Sequence, residues 1–330
     1  MSGASVAPQG TRAVGPERTD RLRFAADVRA GLATRPWQIP SRYLYDDLGS
    51  ALFEAICRLP WYPITRAEER LLAVHGRELV GCVRPATIVE LGSGSGEKLK
   101  LLLSRSDLDL SDVDIHLVDL SAAALELSAQ ALTSLGAARI VGHEASYEEG
   151  LSAASRGFRP GPVLVLFLGS NIGNFDPSAC EAFLDSLRQA LRPGDRLLLG
   201  TDLVKPDTDL LLAYDDPLGV TAAFNRNLLV RVNRELGGDF AVDRFAHRAV
   251  WNPAASRMEM YLVSRSDQVI RVPGAGVEFL MRAGEAIWTE CSYKYQQEQI
   301  APLLESAGFR AERQWSDARD LFLLTLAAAV

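Results

Sequence analysis

Between about residues 68 and 205, short apolar runs without polar alternation are separated by stretches with helical spacing. The runs are ATIVEL (86–91), DIHLVDL (114–120), PVLVLFLGS (162–170) and DRLLLGTDLV (195–204). A strand that is apolar on both faces must be covered on both, as happens when helices flank a parallel sheet. The helical stretches 97–104, 121–135 and 177–192 supply that cover. In the last, Asp176 is placed to cap and Pro177 suits the first turn. Phe183, Leu184, Leu187, Ala190 and Leu191 then share one face. The alternation predicts a doubly wound α/β domain.

Toward the C-terminus the spacing predicts a helix over 295–307, stopped at Gly308, then a strand from Phe309 and another in LFLLTLAAAV. Residues 205–294 break the rhythm and carry a β-like run, RMEMYLVSRSDQVIRV. They read as an inserted α+β domain joined by residues 21–65. The expected division is a disordered tail over 1–20, an inserted domain from 21–65 with 205–294, and an α/β domain from 66–204 with 295–330. Leu22, Phe24, Ala25, Val28 and Leu32 mark an amphipathic segment just after the tail.

The chain has 330 residues, 48% hydrophobic and 23% charged, with a net charge of −7. That balance is a globular one, and the negative charge argues against a nucleic-acid backbone as partner. No apolar run reaches the ~20 residues that span a bilayer, and the first twenty lack a signal-peptide core. Cys57, Cys82, Cys180 and Cys291 are scattered, with no metal-type spacing. His75, His116, His143 and His247 form no ligand set either. We expect a cytoplasmic monomer without a metal, acting on a small molecule.

The first apolar run leads into ELGSGSGEK, Glu90 to Lys98. Gly92, Gly94 and Gly96 let the backbone turn tightly and approach a ligand closely. A dinucleotide fingerprint has a different spacing, with its third glycine against the following helix. A carboxylate leading into the loop, Glu90, suits a ligand with cationic groups better than a pyrophosphate. S-adenosylmethionine is such a ligand, with an ammonium, a sulfonium, a ribose and no phosphate. Asp119, at the end of the next run, is the type of acid that accepts ribose hydroxyls. It serves a nicotinamide dinucleotide equally well, and a helix cap is its bland alternative.

Longer strings carry more information: YDDLGSALFEAICRLPWYPITRAEE (45–69), FLGSNIGNFDP (167–177), DLVKPDTDLLLAYDD (202–216), GVTAAFNRNLLVRVNREL (219–236) and WTECSYKY (288–295). With ELGSGSGEK, they make the chain resemble the histidine Nα-methyltransferases of ergothioneine biosynthesis over roughly residues 20–330. The resemblance implies a Rossmann-like class I methyltransferase sheet with a second, inserted substrate-binding domain. It implies three S-adenosylmethionine-dependent methylations of L-histidine to hercynine.

By the same resemblance, Glu90, Gly92, Gly94, Lys98 and Asp119 line the cofactor pocket, with Ser146-Tyr147 standing where the family often has Asp-Phe near the adenine. Gly169 and Asn174 match in FLGSNIGNF, the asparagine as a ligand of the substrate carboxylate, and Tyr214 is its partner there. Tyr45 and Tyr62 match tyrosines near the amine and ring. Met260 matches a ring-packing methionine, and Glu290 and Ser292 match the imidazole's hydrogen-bonding partners. The chain departs from the pattern at Pro63-Ile64, at Ser146 and at Pro206.

These residue types suit the chemistry. Methyl transfer from a sulfonium needs an unprotonated amine held in line, and such positioning contributes ~7–11 kcal/mol. Tyrosine hydroxyls and an amide near the amine avoid the carboxylate that would lock in its charge. Tyr45 is the candidate for guiding the proton away. Glu290 offers a charge-assisted acceptor to an imidazole N–H, which favours histidine over an indole amino acid such as tryptophan. Taken singly, each has a plainer reading: Tyr45 and Tyr62 as core tyrosines, Met260 as filling, Asn174 as a turn residue, Glu290 as a surface acid. A nicotinamide-dependent oxidoreductase and a non-catalytic cofactor-binding module are the alternatives from other classes.

Overall fold

A computed structural model describes residues 16–137, 139–319 and 321–330. The chain opens with α1 (Pro16–Ala33), β1 (Trp37–Gln38), α2 (Asp47–Cys57) and α3 (Ile64–Val83). Then come β2 (Thr87–Leu91), α4 (Glu97–Ser104), β3 (Asp114–Asp119), α5 (Ala122–Thr133), β4 (Arg139–Glu144) and α6 (Tyr147–Ser155). The next elements are β5 (Val163–Phe167), α7 (Pro177–Ala190), β6 (Arg196–Asp202), α8 (Asp207–Tyr214) and α9 (Val220–Leu236). A β-rich stretch follows: β7 (Phe245–Asn252), β8 (Arg257–Ser264), β9 (Gln268–Val272), β10 (Val277–Met281) and β11 (Ala286–Tyr293). The chain closes with α10 (Gln297–Ser306), β12 (Phe309–Asp317) and β13 (Phe322–Ala329).

Seven strands form the main sheet in the order β12-β13-β6-β5-β2-β3-β4. From β6 to β4 the neighbours are parallel, while β13 runs antiparallel to both β6 and β12. The strand pattern explains the layering. In β5, Val163, Val165 and Phe167 enter one core with Leu151 of α6, Phe183 and Leu187 of α7 and Ile300 of α10. Leu164 and Leu166 point the other way, into a core shared with Leu72 and Leu79 of α3, Leu102 of α4 and Leu132 of α5. The order reverses between β2 and β5, and the crevice beyond those two strand ends is where such sheets bind ligands.

The second sheet, β1-β11-β8-β7, has β1 parallel to β11 and the rest antiparallel. Helix α9 packs on β7 and β8, and α2 packs on α9. The β9–β10 hairpin stands apart as a two-stranded ribbon.

The expected helices and strands of the main sheet are present, with two additions. Strand β4, RIVGHE, is half exposed at the sheet edge and carries a glycine, so it lacks the continuous apolar run of its neighbours. Helix α6 begins at a capping box between Ser146 and Glu149. The tail expected over 1–20 lies outside the described residues as far as 15, and its last five residues are already α1, a correction to that boundary. Helix α3 runs across the boundary expected at 65–66 and packs on α4 and the main sheet. Among the described residues, no helix is long and apolar enough to cross a membrane.

Candidate active site

Two loops meet at the switch point. The first follows β2. Gly92, Gly94 and Gly96 have φ of 78°, 51° and 74°, a left-handed run that side-chain-bearing residues adopt only at a cost. Asp119, at the end of β3, ties this loop down: one carboxylate oxygen accepts from Gly94 N–H at 3.0 Å and the other from Ser121 N–H at 3.0 Å. Ser121 itself caps α5, so the cap role weighed for Asp119 belongs to its neighbour. The Asp119 carboxyl is raised by burial, against the pull of these backbone donors.

The second loop follows β5. Gly169 N–H is held by both oxygens of the fully buried Glu68 at 2.9 Å, and Lys98 reaches the same carboxylate at 2.6 Å. A single turn over Asn171–Asn174 then brings Asn174 against β11. Gly173 makes this approach feasible, since a Cβ there would sit 2.7 Å from the carbonyl oxygen of Tyr293.

Two adjoining hollows result. The outer cleft is lined by the glycine loop, Glu90 and Lys98, together with Glu54, Cys57, Arg66 and Glu69. Glu90 is buried, with one carboxylate oxygen unpartnered, and burial pushes its carboxyl up to about 8. An orphaned acid beside a glycine cradle fits a ligand that brings a cation, as S-adenosylmethionine does with its ammonium.

The inner pocket gathers every expected substrate residue: Tyr45, Tyr62, Gly169, Asn174, Tyr214, Met260, Glu290 and Ser292. Phe53, Tyr62, Ile64, Gly169 and Asn171 line both hollows and form the neck between them. Five rings wall the inner pocket. Tyr45 stands 5.6 Å from Phe53 and 5.4 Å from Phe224, and Tyr62 lies 6.2 Å from Phe53 and 6.4 Å from Tyr214, centre to centre.

Strand β11 supplies the polar end. Glu290 pairs with Met260 of β8 across the sheet. It is the sole carboxyl among the described residues that line this pocket. Burial lifts it to about 8, against the opposing pull of Lys294 and the Tyr45 hydroxyl. Tyr45 is held well above the ordinary phenol range by burial, and next by Glu290, so it stays protonated. The Tyr214 hydroxyl lies 2.9 Å from Ser292 Oγ. His247 Nε2 lies 2.8 Å from the Tyr214 carbonyl, and Asn225 Nδ2 lies 2.9 Å from His247 Nδ1. With the proton on Nε2, both contacts are hydrogen bonds and α8 is fixed at its C-terminal end.

Three expected cofactor residues stand off the lining of the outer cleft. Asp119 acts through the loop it ties. The Ser146 hydroxyl donates to Glu149 at 3.0 Å within the capping box, so it is engaged inside its own helix. The Tyr147 hydroxyl would be 3.3 Å from a Cβ on Gly92, against the glycine loop. Sequence reasoning missed Glu68, Asn171, Phe53, Phe224 and Lys294. Lys294 had a signal: it stands two residues beyond Ser292 and four beyond Glu290, the period of one strand face.

The chain matches the family model described as "Histidine-specific methyltransferase, SAM-dependent" over residues 24–329. It is 43% identical to a histidine N-alpha-methyltransferase of Mycolicibacterium smegmatis, over 91% of this chain and 93% of that one. It is 41% identical to the protein of the same name from Mycobacterium tuberculosis, over 94% and 97%. An ergothioneine biosynthesis protein of Neurospora crassa is 29% identical, over 88% of this chain and 33% of that one.

Proposed function

The chain belongs to the SAM-dependent, histidine-specific methyltransferase family, and on that premise we propose that it trimethylates the α-amine of L-histidine to hercynine, a step of ergothioneine biosynthesis. Glu90, the glycine loop and Lys98 would hold S-adenosylmethionine in the outer cleft, with Asp119 tying the loop down, and the cofactor would supply the activated methyl group. The observation that carries the reading is the inner pocket: a single carboxyl, Glu290, lines it together with hydroxyl and amide donors, and a neck opens on the glycine loop.

Asn174 and the Tyr214 hydroxyl hold the substrate carboxylate as donors. Glu290 accepts from an imidazole N–H, Ser292 takes the other ring nitrogen, and Met260 packs on the ring. The amine is then left near Tyr45 and Tyr62. An α-amine titrates at ~7.7–8.0 in peptides, so the pocket must favour its neutral form. Phenols that keep their protons do so, because a neutral hydroxyl does not stabilise an ammonium as a carboxylate would. Tyr45 Oη accepts a hydrogen bond from the amine and guides its departing proton away, passing its own proton on toward solvent as it takes the amine's, so that it stays neutral. As methyls accumulate, the rings of Tyr45, Phe53, Tyr62 and Phe224 face a cation with no N–H left to donate, and ring faces attract such cations.

Residues 21–65 with 205–294 serve mainly substrate binding in this reading and 66–204 with 295–330 mainly the cofactor, with Gly169 and Asn174 reaching into the substrate pocket and Glu54 and Cys57 into the outer cleft. We further place the protein in the cytoplasm as a monomer. Mass spectrometry of L-histidine incubated with enzyme and S-adenosylmethionine tests the activity, with products one, two and three methyls heavier expected. Calorimetry with S-adenosylhomocysteine present should show histidine binding more tightly than tryptophan. Tighter tryptophan binding would reassign the substrate, and thermal stabilisation by NAD instead of S-adenosylmethionine would reassign the reaction.

A further inference from the structure

Lys294 lies just beneath the inner pocket, outside its lining, with 2% of its surface exposed. An ammonium has three protons to donate. Here they have three partners within the protein: Asp202 Oδ2 at 2.8 Å, the Tyr214 hydroxyl at 2.8 Å and Ser292 Oγ at 3.0 Å. The ammonium also sits 4.8 Å from the centre of the Tyr214 ring. Asp202 and Tyr214 hold it charged against the pull of burial.

The polarity of the two hydroxyls follows from a count. Each oxygen already accepts from Lys294, so neither proton points at the lysine. The hydroxyls lie 2.9 Å apart, and that contact consumes at most one of their two protons. At least one proton is therefore left for a ligand. A cation bonded to a phenol oxygen also draws charge from its O–H, which strengthens it as a donor. Lys294 pulls in that direction on the Tyr214 hydroxyl, against the burial that raises it.

We propose that Lys294 is a positioning residue for substrate selection: by donating to both oxygens it leaves Tyr214 and Ser292 to act as donors toward the substrate's acceptors, the carboxylate at Tyr214 and the imidazole nitrogen at Ser292. The inference rests on the histidine-methylation reading. Asp202 belongs to the same device, since its backbone N–H bonds Ser170 Oγ at 2.9 Å and its second carboxylate oxygen accepts from Lys205 at 2.5 Å. With Lys294 replaced by methionine, Asp202 keeps that lysine, so the variant should fold.

The test is a double-mutant cycle on the full chain, with Lys294→Met, Tyr214→Phe and both together. L-histidine binding is measured with S-adenosylhomocysteine present, and S-adenosylhomocysteine binding alone reports the fold. Lys294→Met should weaken histidine by about tenfold or more, the scale of a charged hydrogen bond. S-adenosylhomocysteine affinity should stay within about twofold, and in turnover the loss should fall on KM more than on kcat. In the Tyr214→Phe background the Lys294 change should cost less than about threefold, because two residues acting as one unit are not additive. Equal losses in both backgrounds, or unchanged histidine affinity in the single variant, would overturn the inference and leave the methylation reading intact. Wild-type enzyme that binds no histidine would instead remove that reading, and the inference with it. If Lys294→Met also loses S-adenosylhomocysteine, Lys294→Leu, a shorter apolar side chain that likewise leaves the Asp202–Lys205 pair intact, is measured against the same thresholds.

Discussion

Replacing Glu290 with alanine should change histidine affinity in a pH-dependent way. A charged group accepting a hydrogen bond contributes ~1.5–3 kcal/mol, and at ~1.4 kcal/mol per tenfold its loss weakens binding by about ten- to 150-fold. That full effect needs an ionised carboxylate. In the free pocket the carboxyl stands at about 8. At pH 7, one unit lower, shedding its proton on binding costs about 1.4 kcal/mol, and at pH 9 that cost is gone. The wild-type advantage over Glu290→Ala should therefore be about tenfold larger at pH 9 than at pH 7. Dividing wild type by variant at each pH cancels the titration of the histidine itself. Titration calorimetry with S-adenosylhomocysteine present measures both proteins. A variant within about threefold of wild type at pH 9, or an advantage that shrinks as pH rises, would refute an imidazole–Glu290 contact.

Glu90 gives a stability prediction of definite sign. Its folded carboxyl stands at about 8, above the ordinary 4.5. The native state is thus favoured while Glu90 is protonated and loses stability as pH rises from about 4.5 through about 8. Glu90→Gln should raise the melting temperature more at pH 8.5 than at pH 5, while weakening S-adenosylmethionine; a gain confined to acid pH would contradict the assignment. Gly96→Ala places a side chain at φ 74° with its Cβ 2.7 Å from the Ser128 backbone. It should destabilise by at least ~1–2 kcal/mol, the left-handed penalty alone, and an unchanged urea midpoint would show that the loop relaxes freely. Phe224→Leu removes one ring of the wall and a cation–π contribution of ~0.5–2 kcal/mol. Mono- and dimethylhistidine should accumulate in time courses, and an unaltered product distribution would dismiss the ring wall as a determinant of later steps.

The main sheet was legible because β2, β3, β5 and β6 are buried on both faces and so read as unbroken apolar runs. Strand β4 was not, since an edge position with one wet face relaxes the demand for apolar residues. The substrate pocket was legible through long strings, and only jointly: Tyr45, Asn174 and Glu290 come from three distant segments, and nothing local tells a pocket tyrosine from a core one. Lys294 escaped for a related reason. A lysine at a strand end normally reads as solvated, and its burial depends on Asp202, whose approach from β6 no local pattern reports. At Ser146 the structure shows a helix cap, its hydroxyl donating to Glu149 three residues on, a role that the capping-box spacing carries in the sequence.

The sheet's strand order also has a practical side. Both hollows sit beyond one rim of the main sheet, where β2 and β5 diverge, and the helices that follow those strands run back toward the opposite rim. The exposed turn after α4, at Arg105, belongs to that opposite rim. A fluorophore or surface tether attached there would immobilise or report on the enzyme while leaving the entrance used by both small molecules unobstructed.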